Sequence, residues 1–162
     1  MMIQSVGPVL KTQVSPILSL VSHVRRGATS EEAMSGSSAE PPRGLAGLRV
    51  LVVEDEAMVA MLIEDALLEL GCLVVGPVAG VAAALQLLET EPVDAAVLDV
   101  NLGGEKVFPV ADRLASGGVP FLFSTGYGAV GIQERHLHRP VLQKPYEPGT
   151  LGSALSVAVR QT

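Results

Sequence analysis

The sequence contains a single cysteine, Cys72, no tryptophan, and only three Phe and two Tyr residues. One cysteine cannot form a disulfide within the chain, which excludes a disulfide-stapled secreted scaffold and fits a reducing compartment. Long hydrophobic runs are also missing, since none approaches the roughly 20 residues that a membrane-spanning helix needs. We therefore expect a cytoplasmic protein that does not insert into membranes.

Positive charge is scarce as well, with 11 Lys and Arg residues against 17 Asp and Glu residues and a net charge of −6. The excess of acid lies in residues 48–162, which hold seven basic and fourteen acidic side chains. An acidic protein repels phosphate backbones, which argues against nucleic acid as a partner. Apolar residues, by contrast, make up 48% of the chain, enough for one domain with a substantial core.

The first 45 residues differ in composition from the rest. The stretch GATSEEAMSGSSAEPPRG is rich in Gly, Ser, Pro and Glu, which predicts a disordered linker. The apolar stretch VSPILSLVSHV before it faintly resembles a signal peptide, but Pro16 interrupts it and no cleavage site follows. We expect residues 1–45 to be a disordered leader that adds little stability, and an alternative is that translation begins at Met34.

From Leu48 onward the sequence alternates between apolar strands and helices. The predicted strands cover residues 48–53, 73–79, 93–100, 119–125 and 140–143. The predicted helices cover residues 57–71, 80–91, 108–118 and 147–161, and residues 129–138 hold at most two or three helical turns. Nearly continuous apolar strands alternating with helices predict an α/β fold, a doubly wound parallel sheet over residues 48–160.

The first predicted helix carries two apolar faces. The face expected to pack on the sheet consists of Val59, Leu62, Ile63, Ala66 and Leu70. A second stripe consists of Ala57, Met61 and Leu68. We expect this stripe either to be covered by the closing helix or to remain exposed as a docking surface for a partner protein.

Acidic and polar side chains follow the predicted strands, in the order Glu54 and Asp55, Asp99, Ser124 and Thr125, and Lys144. Parallel strands place these positions on one rim of the sheet, where ligands bind in such folds. Three neighbouring carboxylates repel one another and stay ionised only if cations neutralise them. Hard oxygen ligands suit Mg²⁺, so the rim predicts a Mg²⁺ site suited to phosphoryl transfer onto an Asp.

Each rim residue also has a purely local explanation. Asp55 would cap the following helix, Asp99 and Thr125 would each stabilise a turn, and Lys144 would be an ordinary surface lysine.

In combination these residues resemble the receiver domains of two-component response regulators. The resemblance covers about Leu48 to Val159 and rests on four motifs: an acidic pair after the first strand, an Asp after the third, a Thr after the fourth and Lys-Pro after the fifth. It implies a flavodoxin-like, CheY-like fold with five strands in the order 2-1-3-4-5. The stretch FLFSTGYG resembles a subgroup with a Phe-Ala-Thr-Gly motif, with Ser124 in place of Ala.

The resemblance also implies roles for individual residues. Asp99 would be the phosphoacceptor, Thr125 the switch hydroxyl and Lys144 a contact of the phosphoryl group. The implied Mg²⁺ ligands are Glu54, Asp55, Asp99 and the backbone carbonyl of Asn101. The implied partners are a sensor histidine kinase or a histidine phosphotransfer protein, and a downstream target protein. We expect a stand-alone receiver, not an enzyme, that catalyses only its own phosphorylation and dephosphorylation.

Three alternatives remain at this point. Gly126, Gly128 and Gly131 spell G-x-G-x-x-G, but a dinucleotide loop normally opens the first strand–helix turn of its domain. A haloacid-dehalogenase-like phosphatase also uses an Asp, a Thr or Ser and a Lys, but it would place an Asp at Asn101 and has no early acidic pair. The third alternative is a degenerate receiver that binds partners without phosphate.

Two features lie outside this set of residues. His136 and His138 form an H-x-H pair, which we expect to be solvated rather than metal-binding. Tyr127 lies in a loop flanked by glycines, and Val141 occupies the place where many receivers carry an aromatic residue. We expect Tyr127 either to signal phosphorylation to partners or to shield the phosphoryl group from water.

Overall fold

The computed structural model describes residues 44–161. The strands in this part of the chain are β1 (Arg49–Val53), β2 (Leu73–Val78), β3 (Ala95–Asp99), β4 (Asn101–Leu102), β5 (Glu105–Lys106), β6 (Phe121–Thr125) and β7 (Val141–Gln143). Five of them form a parallel sheet in the order β2-β1-β3-β6-β7, and β4 and β5 form a small antiparallel hairpin. Counted over the sheet strands alone, this is the predicted order 2-1-3-4-5, and the α/β fold is confirmed.

Helices cover both faces of the sheet. They are α1 (Ala57–Glu69), α2 (Val81–Thr90), α3 (Phe108–Ser116) and α4 (Pro148–Arg160). Because side chains alternate along a strand, Val50 and Val52 pack in one core with α1 and α4. Leu51 and Val53 pack in the other core with α2 and α3. Among residues 44–161, none of the helices combines the length and the apolar character required to cross a bilayer.

The packed region begins earlier than the strand pattern indicates. Leu45, at the end of the predicted leader, is only 1% exposed and belongs to the core beneath α1 and α4. Its carbonyl accepts a hydrogen bond from the Cys72 thiol at 3.3 Å. Residues 1–43 of the predicted leader, with the alternative start at Met34, lie outside the described residues.

The buried face of α1 is shifted around the helix relative to the prediction. Its buried residues are Ala60, Ile63, Ala66 and Leu67. The prediction that Leu62 packs on the sheet was wrong. Its side chain is 63% exposed and lies at the rim of a cleft. The second stripe is exposed at Ala57, Met61 and Leu68, so the closing helix does not cover it.

The connection between β6 and β7 has only a single 3₁₀ turn, Glu134–His136, where the other connections have an α-helix. Gly128 and Gly131 have positive φ angles of 61° and 87°, a conformation that glycine adopts without steric cost. Residues 126–131, which contain both glycines, form turns, and no α-helix begins between them and the 3₁₀ turn. The glycines therefore serve turns, and the dinucleotide alternative is wrong.

The prediction that His136 is solvated was also wrong. Its ring is 3% exposed and packs against Phe108, Phe121 and Phe123. Its Nε2 atom lies 2.8 Å from Oδ1 of Asp112 on α3. Because a full helix is missing from this connection, the imidazole ring covers the aromatic core at this point. His138 is exposed, as predicted.

Candidate functional site

The end of β1 brings Glu54 and Asp55 to the rim of the sheet. Gly76 in β2 lies at an irregularity of the β1–β2 register with φ at +94°, and a Cβ atom there would approach the Val52 carbonyl oxygen to 3.1 Å. Glycine therefore permits this close approach of β2 to β1. The carbonyl of Val78, the last residue of β2, accepts the Glu54 N–H at 2.9 Å. Glu54 is 2% exposed, whereas Asp55 is exposed. The N-cap residue of α1 is Glu56, so Asp55 does not cap the helix.

Asp99 lies at the end of β3, on the neighbouring strand. Leu98 pairs with Val53 in the sheet, so Asp99 and Glu54 follow directly after paired residues. Asp99 is 6% exposed, and one of its oxygens accepts the backbone N–H of Asn101 at 3.4 Å. The predicted turn at Asp99 is therefore present, and its other carboxylate oxygen contacts Lys144.

Lys144 reaches the carboxylates from the end of β7. Its Nζ atom lies 2.7 Å from Oε2 of Glu54, 3.3 Å from Oδ2 of Asp99 and 3.7 Å from Oε1 of Glu56. The interpretation as an ordinary surface lysine is wrong, since the side chain turns inward and is largely buried. Its backbone N–H donates to the Thr125 carbonyl at 2.8 Å, which fixes β7 against β6.

Burial and the charge of the partner have opposing effects on the pKa values of Glu54 and Lys144. Burial raises the pKa of Glu54 despite the hydrogen bond from Lys144, which lowers it. Burial alone would lower the pKa of Lys144, but the hydrogen bond and charge of Glu54 and the charge of Asp99 together raise it. Lys144 therefore stays a cation at neutral pH.

The carboxylates form a cluster that fits a hard divalent cation. One oxygen from each of Glu54, Asp55 and Asp99 lies within 4.8 Å of the others. All the donors are oxygens, which Mg²⁺ prefers, and a single lysine does not balance their combined charge. The structure thus brings together three of the predicted metal ligands and the predicted lysine.

Asn101 and the β4–β5 hairpin lie beside this cluster. The Asn101 side-chain oxygen accepts from Nζ of Lys106 at 3.4 Å. A Cβ atom on Gly103, at the hairpin turn, would lie 3.7 Å from Oδ2 of Asp55. The hairpin therefore packs next to the exposed carboxylate, while the role of the Asn101 carbonyl as a metal ligand stays a prediction.

Thr125 ends β6 and is buried. Its hydroxyl oxygen accepts the backbone N–H of Tyr127 at 3.2 Å, which is the predicted turn. Tyr127 itself is 80% exposed. A Cβ atom on Gly126 would meet no atom within 4 Å, so the space next to Thr125 is open.

Tyr146, and its contact with Ser124 next to the site, were not predicted from the sequence. Tyr146 and Ser124 are joined by a hydrogen bond of 3.3 Å between their hydroxyl groups. Tyr146 also lines a cleft of about 300 Å³ between α1 and the segment after β7, together with Lys144, Pro145 and Glu56. Burial raises the pKa of the Tyr146 hydroxyl. The one available signal was the position of Tyr146, two residues after the strand-end lysine.

The response regulator receiver domain family matches residues 50–156. The chain belongs to this family. Receiver domains in general bind Mg²⁺ and interact with kinases and downstream targets, which agrees with the oxygen cluster of this receiver domain.

Solved structures include clear relatives of this receiver domain. SdrG from Sphingomonas melonis Fr1 is 43% identical, with a TM-score of 0.64, and the match covers 71% of this chain and 98% of SdrG. The BeF3-activated conformation of SdrG from Pseudomonas melonis Fr1 is 45% identical, with a TM-score of 0.61 and coverage of 70% and 98%. The response regulator PhyR from Brucella abortus is 28% identical at a TM-score of 0.61, and the match covers 72% of this chain and 49% of PhyR. A search of curated proteins finds no match.

Proposed function

We propose that this receiver domain accepts a phosphoryl group on Asp99 in a His–Asp phosphorelay. The donor is a sensor histidine kinase or a histidine phosphotransfer protein, and the output is binding to a downstream protein in the cytoplasm. The observation that carries the proposal is the convergence of Asp99, Lys144, Glu54 and Asp55 at one rim of the sheet. The BeF3-activated conformation of the relative SdrG supports it, because BeF3 mimics a phosphoryl group.

The proposed reaction exchanges one bond to phosphorus for another. A carboxylate oxygen of Asp99 attacks phosphorus in line, the bond from phosphorus to the donor imidazole nitrogen breaks, and that nitrogen keeps the electron pair. Lys144 already contacts Asp99 and is placed to pair with a phosphoryl oxygen. Glu54, Asp55, Asp99 and the Asn101 carbonyl would hold Mg²⁺, which when bound supplies charge stabilisation to the phosphoryl oxygens.

We also propose that this receiver belongs to the subgroup with a Phe-Ala-Thr-Gly motif and that it is not an enzyme on separate substrates. The residue two places after the nucleophile is Asn101, whereas a haloacid-dehalogenase-like phosphatase needs an acid there. A degenerate receiver would not need the complete set of rim residues.

One experiment separates these functions. The full chain is incubated with acetyl phosphate, with Mg²⁺ or with a chelator, and intact masses are followed in time. We expect a single phosphoryl adduct that requires Mg²⁺ and is released by hydroxylamine, as an acyl phosphate is. In a parallel incubation with a small phosphate ester, continued hydrolysis over many turnovers would indicate a phosphatase instead. A chain that acetyl phosphate does not label would indicate a degenerate receiver.

The exposed face of α1 is the proposed docking surface for the phosphoryl donor. Met58, Met61 and Leu62 are more than half exposed, and Leu62 borders the cleft that leads to Lys144. Exposed apolar groups next to a reactive site are typical of protein contacts, and methionine adapts to varied partners.

Met61→Lys should slow phosphotransfer from the donor protein about tenfold or more, since it places a charge in an apolar contact. Labelling by acetyl phosphate should be unchanged, because Met61 is not part of the rim. The matched control is Leu137→Lys, another exposed apolar position, on the β6–β7 connection. Equal effects of Met61→Lys on both donors would show that the residue is only structural.

We propose that phosphorylation orders the loop after β6, with Tyr127 as the group that partners detect. The Thr125 hydroxyl now accepts a bond from the Tyr127 N–H, so a Thr125 that turns toward a phosphoryl oxygen would alter this loop.

Addition of beryllofluoride should therefore slow amide exchange in residues 125–135. Tyr127→Ala should weaken partner binding while the phosphate lifetime stays unchanged. If exchange is unaffected and Tyr127→Ala changes only the lifetime, Tyr127 is a shield against water and the switch proposal is wrong.

A further inference from the structure

A hydrogen bond between two hydroxyl groups lies directly behind the reactive rim. Ser124 precedes Thr125 on β6 and pairs in register with Asp99, and its side chain is fully buried. Tyr146 follows Lys144 by two residues and extends back to the sheet, where its hydroxyl lies 3.3 Å from the Ser124 hydroxyl. Ser124 also stands at the one position where the Phe-Ala-Thr-Gly motif differs in this chain, and the structure gives that serine a partner.

The two ends of the Lys144 segment are thus held in different ways. On the strand side, the Lys144 N–H donates to the Thr125 carbonyl. On the other side the chain leaves the sheet at Pro145, and α4 begins only at Pro148. Between these points, the hydrogen bond from Ser124 to the Tyr146 hydroxyl attaches this segment to β6.

We propose that Tyr146 and Ser124 are positioning residues for Lys144. Their hydrogen bond holds the segment after β7 so that the ammonium group points at Asp99 and Glu54, and this orientation sets the rate at which Asp99 accepts a phosphoryl group. The proposal rests on the proposed phosphoacceptor function of Asp99. It assigns a role in that reaction to two side chains that do not contact the carboxylate cluster.

The test measures the labelling rate of Asp99 by acetyl phosphate in the full chain at saturating Mg²⁺. Tyr146→Phe, Ser124→Ala and the double variant should each label about three- to tenfold more slowly than the wild type, since one hydrogen bond is lost in every case. The double variant should be no slower than the single variants, because partners in one bond are not additive. Ser156→Ala is the matched control, a serine that is also buried but whose hydroxyl has no hydrogen-bond partner among residues 44–161.

A second set of variants asks whether the effect passes through Lys144. In a Lys144→Ala background, Tyr146→Phe should cause no further change in the labelling rate, whereas general damage to the fold would slow labelling again. Thermal unfolding of every variant is recorded, and if Tyr146→Phe does not fold, Ser124→Ala carries the same comparison.

The outcomes are distinct. The proposal is supported if the single variants label more slowly than the wild type, and if Tyr146→Phe causes no further slowing in the Lys144→Ala background. The proposal is overturned if the single variants label at rates within twofold of the wild type. It is also overturned if Tyr146→Phe slows labelling equally with and without Lys144. Both outcomes leave the phosphoacceptor function intact. A wild-type chain that is not labelled overturns the function and the positioning role together.

Discussion

Asp99→Asn should reduce phosphoryl labelling of the chain to background. The substitution keeps the shape of the side chain but removes the anionic oxygen that attacks phosphorus. It also removes one of three carboxylates that lie within 4.8 Å of each other, so the fold should be as stable as the wild type or more so. Lys144 should still pair with Glu54 in this variant, since the two groups lie 2.7 Å apart in the wild type.

Intact mass after incubation with acetyl phosphate and Mg²⁺ checks this result, and thermal unfolding shows that the variant is folded. Asp65→Asn makes the same change on the exposed part of α1 and should label like the wild type. Asp55→Asn should still accept the group but need more Mg²⁺, since it removes a proposed ligand and leaves the nucleophile. Labelling of Asp99→Asn at a rate comparable to that of the wild type would assign the phosphoacceptor to another residue.

His136→Ala should lower the free energy of unfolding by about 3 kcal/mol, the size expected when a large buried ring is removed from a core. The ring centroid lies 5.7 Å from that of Phe121 and 6.0 Å from that of Phe123, so truncation leaves a cavity in an aromatic cluster. The variant also loses the contact between Nε2 and Asp112 that ties the β6–β7 connection to α3. We expect the melting temperature to fall by about 10 °C.

His138→Ala is the matched control, because His138 is exposed two residues away, and it should change the stability by no more than about 0.5 kcal/mol. Asp112→Ala should cost less than His136→Ala, since the Asp112 side chain is 44% exposed and water screens its ion pairs. The pKa of Asp112 is lowered to about 2, first by the hydrogen bond from Arg135, so its contribution is complete at neutral pH and is lost only as the pH falls below 4 toward 2. Equal melting temperatures for His136→Ala and His138→Ala would contradict a structural role for His136.

The rim was predictable from the sequence because its geometry follows from chain direction alone. Parallel strands end on one side of the sheet, so the side chains at the ends of β1, β3, β6 and β7, or directly after them, come together on that side. Glu54, Asp55, Asp99 and Lys144 therefore meet in one site. The local turns at Asp99 and Thr125 were also predictable, and they coexist with the chemistry instead of replacing it.

The features at Leu62, His136 and Tyr146 that were not predicted depend on contacts between elements that are distant in sequence. Periodicity shows that α1 has apolar faces but not that Leu62 would face a cleft beside Tyr146. The short polar segment around His136 suggests a solvated side chain, but the ring packs against aromatic residues of β6 and α3. In the same way, the Ser124–Tyr146 bond joins residues 22 apart through side chains alone, which no local pattern reports.

The central claim is that Asp99 carries the phosphoryl group, and the most direct measurement maps that group to a residue. The full chain is labelled with acetyl phosphate and Mg²⁺, reduced with borohydride, digested and sequenced by mass spectrometry, since borohydride converts an aspartyl phosphate to homoserine. We predict homoserine at position 99 in a fraction that matches the labelling, and unchanged aspartate at positions 55, 65 and 112. Phosphate found at His136, or reduction at an acidic residue other than Asp99, would contradict the claim.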